Sequence, residues 1–210
     1  MILGISGFIN SGKSTVAMQL TENYGFRKDS FATSLKDACA ALFDWPRDLL
    51  EGDTKESREW REVTDSWWSE KLNISNFSPR LALQLIGTDA LRNHFNPGLW
   101  FMTLENRVRK DPDRHVVISD VRFPNEVEFI QNQGGIMVRV DRGSPPVWFE
   151  TALMANRGNS IAKEIMTSTY SDAHQSEWAW VGQKYDYVIS NDSNLESLQI
   201  QVNEIISKIL

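Results

Sequence analysis

One stretch near the start of the chain constrains it more than any other. Gly7-Phe8-Ile9-Asn10-Ser11-Gly12-Lys13-Ser14 fits G-x-x-x-x-G-K-[ST], the phosphate-binding P-loop. Its flanks have the order the motif needs: Ile2-Leu3-Gly4-Ile5-Ser6 reads as a buried strand, and Thr15 to Tyr24 as a helix. Glycines let the backbone turn so that successive N–H groups point into one concavity at the positive end of that helix. Lys13 would then reach the β- and γ-phosphates, and the Ser14 hydroxyl would ligate Mg²⁺. The bland rival is a glycine-rich turn that happens to carry a lysine, and the strand–loop–helix order argues against it. The motif implies binding of a nucleoside triphosphate.

At 210 residues there is room for one α/β domain with an inserted lobe. Lys and Arg number 22 against 28 Asp and Glu, a net charge of −6 that argues against stable binding to nucleic acid, where clustered basic residues supply the affinity. The single cysteine, Cys39, has no partner for an internal disulfide, as expected in a reducing compartment. No apolar run approaches the ~20 residues of a membrane span. With the P-loop beginning at residue 7, a secretory signal has no room. A soluble, cytoplasmic protein without membrane contact is expected.

Along the chain, Phe26–Phe31 reads as a second strand and Leu35–Phe43 as a helix capped by Thr33 or Ser34. Lys36 falls in the first turn of that helix, against the dipole, which suggests an anion nearby, with a solvated lysine as the bland alternative. Glu51–Leu72 reads as one amphipathic helix with Trp60, Val63 and Trp67 on its packing stripe and Arg58 and Arg61 on other faces. Ser78-Pro79 opens a further helix, expected to end near Gly87-Thr88-Asp89, and another runs from Gly98 to Lys110.

The β-branched run His115–Asp120 is a strand buried on both faces, with Asp120 at the carboxyl end where α/β folds place ligand-binding groups. Ile136–Val140 and Tyr185–Ser190 are the remaining strands, and Leu195–Leu210 a closing helix. Strands alternating with helices predict a three-layer α/β P-loop NTPase fold on a five-stranded, mostly parallel sheet. A single domain over 1–210 is expected: a core of about 1–32, 111–141 and 184–210, a helical insertion over 33–110, and an irregular, mobile, lid-like segment over 142–183 with short helices around 147–155 and 161–166. A lid would keep water from the γ-phosphate. Arginines near loop and helix starts (Arg58, Arg80, Arg122, Arg139, Arg142) suit a reaction that brings two polyanions together.

Several further segments sharpen the reading: Phe31–Asp37, Leu83-Gln84-Leu85-Ile86-Gly87-Thr88-Asp89, Ile118–Glu126, His174-Gln175-Ser176-Glu177 and Val188–Leu195. Together with the P-loop they resemble the phage-type deoxynucleoside monophosphate kinases, in order and over nearly the whole chain. L-Q-x-x-G-T-D and D-x-R-x-x-x-E are the most specific. The resemblance implies an adenylate-kinase-like core and Mg²⁺-dependent transfer of the γ-phosphoryl of ATP to a deoxynucleoside 5′-monophosphate for DNA precursor synthesis. If the chain is phage-encoded, that would occur in the host cytoplasm.

By position, Asn10, Gly12, Lys13, Ser14, Thr15 and Asn191 would hold ATP, and Ser14 and Asp120 the metal. Leu35 and Lys36 would line the acceptor site, Arg58 and Arg80 would grip its phosphate, and Gln84, Gly87, Thr88 and Trp100 would surround its base and sugar. Asp120 and Arg122 would lie between the nucleotides, and Arg142, ahead of Arg157, would contact the transferring group. Ile9 and Asn10 stand where the family carries basic residues, so acceptor-base preference stays open, as does a homodimer. The rivals are a P-loop kinase of another small metabolite, such as dephospho-coenzyme A or a sugar acid, and a regulatory NTPase.

Overall fold

The computed structural model describes residues 1–210. They form two compact units, Met1–Asp29 with Asp111–Leu210, and Ser30–Lys110. The strands are β1 (Ile2–Ser6), β2 (Arg27–Asp29), β3 (Val116–Ile118), β4 (Ile136–Asp141) and β5 (Tyr187–Ser190). In chain order the helices are α1 (Lys13–Tyr24), α2 (Thr33–Phe43), α3 (Lys55–Trp60), α4 (Ser66–Leu72), α5 (Pro79–Gln84), α6 (Leu99–Lys110), α7 (Pro124–Asn132), α8 (Phe149–Asn156), α9 (Ser160–Ser168), α10 (Gln175–Trp178) and α11 (Leu195–Ile209). No helix is long and apolar enough to cross a membrane.

In the first unit the strands form one parallel sheet in the order β2-β3-β1-β4-β5. The central strand β1 is buried along its whole length, which is why residues 2–5 read as a continuous apolar run rather than an alternating one. Its two faces differ. Leu3 and Ile5 join Val16 and Leu20 of α1 and Leu198 and Val202 of α11 in one core cluster. On the opposite face, Gly4 leaves no room for a side chain: a Cβ there would stand 2.6 Å from Ile130 of α7 and from Met137. Helices therefore cover both sides, making three layers. Each fully buried Leu, Ile or Val contributes about 1.5–3 kcal/mol to that arrangement. β1 lies between β3 and β4, so its carboxyl end is where connections depart in opposite directions and a crevice opens. The P-loop begins there.

Three elements differ from the sequence expectation. Residues 51–72 form two helices, not one. Thr54 caps α3 through Ser57, and the Asp65 side chain caps α4 by accepting from the Trp68 amide at 3.1 Å. Two N-caps so close end the continuous helix. Val63 and Trp67 are exposed, so the expected stripe is not the packing face; Trp68 turns inward instead and donates from Nε1 to the Phe43 carbonyl.

The helix from Pro79 also does not stop at Gly87. It continues as a wider, π-helical run, Leu85–Phe95. Gly87 serves close packing rather than termination, since a Cβ would meet the Leu35 side chain at 2.4 Å.

Residues 142–183, weakly periodic in sequence, enclose an apolar core of their own. Ala152, Ala155, Ala162, Met166, Trp178, Trp180 and Val181 are its buried members. The Asn156 amide donates to the carbonyls of Trp178 and Val181 at 2.8 and 2.9 Å, tying α8 to the chain beyond α10.

Candidate active site

The P-loop is held from three sides. Gly7 has φ 151°, and a Cβ there would come within 2.3 Å of the Val140 carbonyl on β4; only glycine lets the chain leave β1 so close to its neighbour. Gly12, at φ 106°, precedes the first turn of α1, and a Cβ would stand 2.3 Å from Nδ2 of Asn191. That same amide donates to the Ser11 carbonyl at 2.8 Å, so Asn191 braces the loop from the turn after β5. Asn10 sits in the left-handed region, which Asn tolerates better than most residues. Ser14, with Thr15 beside it, stands exposed on the first turn of α1.

Lys13 folds back over the loop. Its ammonium donates to the Gly7 carbonyl at 2.9 Å and to the Phe8 carbonyl at 2.6 Å. Burial, helped by the Arg122 charge and opposed by the Asp120 carboxylate, lowers its pKa to about 8. Those effects place Lys13, Asp120 and Arg122 within electrostatic reach of one another.

The β1 and β3 ends that carry these groups are fastened together, with the Ser6 hydroxyl donating to the Val121 carbonyl at 3.0 Å. The D-x-R-x-x-x-E segment has a physical purpose: Glu126 accepts from the Arg122 and Phe123 amides at 2.7 and 3.1 Å, fixing the turn that presents Arg122. The guanidinium of Arg122 donates to the Ser176 hydroxyl at 3.3 Å, and His174 Nδ1 lies 2.9 Å from that hydroxyl. The His174–Glu177 segment therefore meets the D-x-R segment in space. Arg142 is exposed at the end of β4, its charge beside Asp192. Arg157 is exposed after α8.

In the second unit, Leu35 packs against Gly87, and the Trp100 indole donates to the Gly87 carbonyl at 3.1 Å. Gln84 and Thr88, four residues apart, are exposed on the same stretch of helix. Lys36 is buried, and its ammonium meets Glu51 Oε2 at 2.6 Å. The anion implied by its placement is thus, in this structure, a carboxylate of the chain itself. Arg47 holds the other Glu51 oxygen at 2.5 Å and reaches Asp37 at 2.5 Å. Arg58 donates to the Asp53 carbonyl at 3.0 Å, and Arg80 pairs with Glu62.

Comparison with known proteins bears directly on this arrangement. Over 217 aligned residues, spanning 96% of this chain and 94% of the other, it is 32% identical to a protein of Acanthamoeba polyphaga mimivirus that carries the provisional name deoxynucleotide monophosphate kinase. The chain belongs to the deoxynucleotide monophosphate kinase family. A second relative, the deoxynucleoside-5′-monophosphate kinase of Escherichia phage T5, is 44% identical over 181 residues, 62% of this chain and 72% of that one. No protein-family profile matches. Among solved structures, a dephospho-CoA kinase from Campylobacter jejuni aligns over 99% of this chain and 96% of its own at 14% identity, with a TM-score of 0.45. A shikimate kinase from Aquifex aeolicus aligns over 100% and 96% at 16%, with a TM-score of 0.43.

Sequence reasoning missed two residues of this kinase that the fold makes prominent. Arg61 is the clearer. Its guanidinium lies over Gly52, where a Cβ would come within 2.2 Å of Cζ, and its buried Nε has no hydrogen-bond partner. Burial lowers its pKa, with the charges of Arg80 and Arg58 adding to that effect against Glu62 and Asp53. Arg58, Arg61 and Arg80 therefore form one cluster of positive charge. Read as a helix-face charge, Arg61 gave no signal; its spacing from Gly52 across a turn could have supplied one. Glu51, the partner of Lys36, lay unremarked at the edge of a polar stretch.

Proposed function

We propose that this kinase transfers the γ-phosphoryl group of ATP to a deoxynucleoside 5′-monophosphate, yielding ADP and the deoxynucleoside diphosphate. One observation carries the reading: a braced P-loop whose lysine, Asp120 and Arg122 interact electrostatically, in a chain of this family.

The P-loop amides and Asn10, Gly12, Lys13, Ser14 and Thr15 take the triphosphate. Asn191 keeps the loop in shape through its bond to the Ser11 carbonyl. The Ser14 hydroxyl and the Asp120 carboxylate suit Mg²⁺, a hard cation that takes few protein ligands and completes its shell with phosphate oxygens and water. When bound, the ion supplies charge neutralisation at the phosphates. The residues do the positioning. Lys13 exchanges its two loop carbonyls for phosphate oxygens, and Arg122, fixed by Glu126, faces the charge that spreads over the transferring group.

The acceptor belongs to the second unit. Its phosphate is taken by the Arg58–Arg61–Arg80 cluster, where the buried Nε of Arg61 is a donor without a partner. Leu35, Gly87 and Trp100 offer an apolar wall for the base, Gln84 and Thr88 polar contacts to base or sugar, and Lys36 a charge released from Glu51. Residues 142–183 act as the lid, and Arg142 is its contact with the transferring phosphoryl.

The test is coupled ADP release with ATP and each deoxy- and ribonucleoside monophosphate in turn. Turnover with one or more deoxynucleoside monophosphates is expected. Turnover with dephospho-coenzyme A or a sugar acid, and none with any monophosphate, would overturn the assignment.

A further inference from the structure

The second residue of the P-loop is aromatic, and phosphate binding does not explain why. Phe8 turns away from the triphosphate cradle and inserts its ring among the aromatic residues of the 148–185 lobe. Its centroid lies 4.8 Å from that of Trp180, 5.5 Å from Trp148 and 6.1 Å from Phe149, the last two at interplanar angles of 71° and 70°. Edge-to-face packing of this kind fixes direction as well as burying area. The lobe side is also rigidly made. Trp180 is buried, its carbonyl accepts from the Tyr185 hydroxyl at 3.0 Å, and the Tyr185 ring carries the Arg139 guanidinium of β4 at 5.8 Å.

The main chain of the same residue faces the chemistry. The Phe8 carbonyl is the closer of the two oxygens that hold the Lys13 ammonium, and it also accepts from the Ser11 amide at 3.2 Å. Side chain and carbonyl of one residue thus connect the aromatic lobe to the lysine.

From this geometry we infer that Phe8 is a positioning residue, a strut through which the 148–185 lobe and the phosphate loop adjust together when a triphosphate binds. The inference rests on the triphosphate reading above. Lys13 leaves the Phe8 carbonyl for the phosphates, and that carbonyl must turn to other donors. The ring clasped by Trp148, Phe149 and Trp180 carries the adjustment into the helices beyond. A lobe joined to the loop only by the chain itself would not respond.

Hydrogen exchange and calorimetry with a non-hydrolysable ATP analogue test the coupling. In the wild-type protein the analogue should bind and add protection to amides of 148–168. Phe8→Ala should lose that added protection and weaken the analogue about tenfold, the loss of several aromatic contacts. Phe8→Tyr, which keeps the aromatic ring in place, should restore most of both. If Phe8→Ala does not fold, Trp148→Leu breaks the same contact from the lobe side and should give the same uncoupling. Full ligand-induced protection with unchanged affinity in either variant overturns the strut. Wild-type protein that fails to bind the analogue overturns the triphosphate reading, and the strut with it. Binding without any response of the lobe overturns the strut alone.

Discussion

The amide of Asn191 meets the carbonyl of Ser11 at 2.8 Å, joining the turn after the last strand to the phosphate loop across 180 positions of sequence. The contact lies where Gly12 has no side chain, so brace and glycine are two halves of one packing solution. The loop thereby holds its shape before any ligand arrives. Such preorganisation is what lets backbone donors meet a triphosphate without first reorganising.

Asn191→Ala should therefore weaken ATP without abolishing turnover. One hydrogen bond is lost and a loop carbonyl is left to water, worth about 1 kcal/mol, or roughly fivefold in affinity. Gly12→Ala forces a side chain against Asn191 in a left-handed backbone and should remove measurable binding. Calorimetric titration with ATP checks both. Equal, small effects from the two substitutions would show that the brace and the glycine are unrelated.

Lys13→Ala should lose at least ~10²-fold in kcat while remaining folded, because the ammonium serves the phosphates and not a core contact. The free protein holds this charge at a cost, since burial and the Arg122 charge, against Asp120, depress its pKa to about 8. Its removal should accordingly leave the melting temperature unchanged or raised. A steady-state assay and a thermal melt on the same preparation suffice. Retained kcat would take Lys13 out of the chemistry.

The three arginines of the second unit make a prediction about selectivity. Arg58→Ala, Arg61→Ala and Arg80→Ala should each raise the KM for the monophosphate about 10-fold or more, the loss of a charge-assisted bond, and leave the KM for ATP near its wild-type value. Arg61→Lys should not restore function, because an ammonium lacks the planar fork that reaches past Gly52. Equal losses for both substrates would mark the cluster as structural.

Much of this was legible in the chain, for reasons that can be named. β3 is β-branched throughout and β1 is apolar up to Ser6 because both faces are covered, and that pattern needs no knowledge of partners. The P-loop declares itself because backbone geometry demands its glycines. Arg61 and Glu51 were hidden because a charge in a short polar helix or loop looks solvated until its neighbours are known. The aromatic lobe was hidden for a related reason. Trp178, Trp180 and Val181 are buried from a turn-rich stretch with no helical period, so periodicity had nothing to register. The break between α3 and α4 was written in Thr54 and Asp65, two caps outweighed in the reading by a tryptophan stripe.

Glu51 sets an acid limit on stability. Burial alone would raise its pKa, but the hydrogen bonds and charges of Lys36 and Arg47 outweigh that and hold the carboxyl below its usual 4.5. A depressed carboxylate contributes stability that is fully present above the unfolded value and is lost as pH falls through the folded one. Thermal melts from pH 7 down to 3 should show this loss below about pH 4.5 in the wild type, and a shallower decline in Glu51→Gln from a lower starting Tm. Parallel curves would mean that the pairing with Lys36 contributes nothing net.

The last prediction concerns the lid and its arginines. Arg142 follows β4 directly, and the next residue is pinned: the Gly143 amide donates to Asp192 at 2.5 Å, while the Ser190 hydroxyl donates to the other oxygen at 2.8 Å. These two bonds and the Arg142 charge hold Asp192 below the usual carboxylate range. The root of the segment is thus anchored to the turn that braces the P-loop, while Arg142 itself is exposed. An anchored base with an exposed guanidinium suits a group that swings only a short way to a phosphate. Arg142→Ala should lower kcat by about 10²-fold or more with little change in either KM, since the contact forms as charge spreads in the transition state. Arg157, exposed after α8, should give a smaller effect. Filling both nucleotide sites with a bisubstrate inhibitor should slow hydrogen exchange across 142–183. Normal kcat in both arginine variants, together with unchanged exchange, would leave the segment as a packed surface lobe and move the transition-state arginine to Arg122 alone.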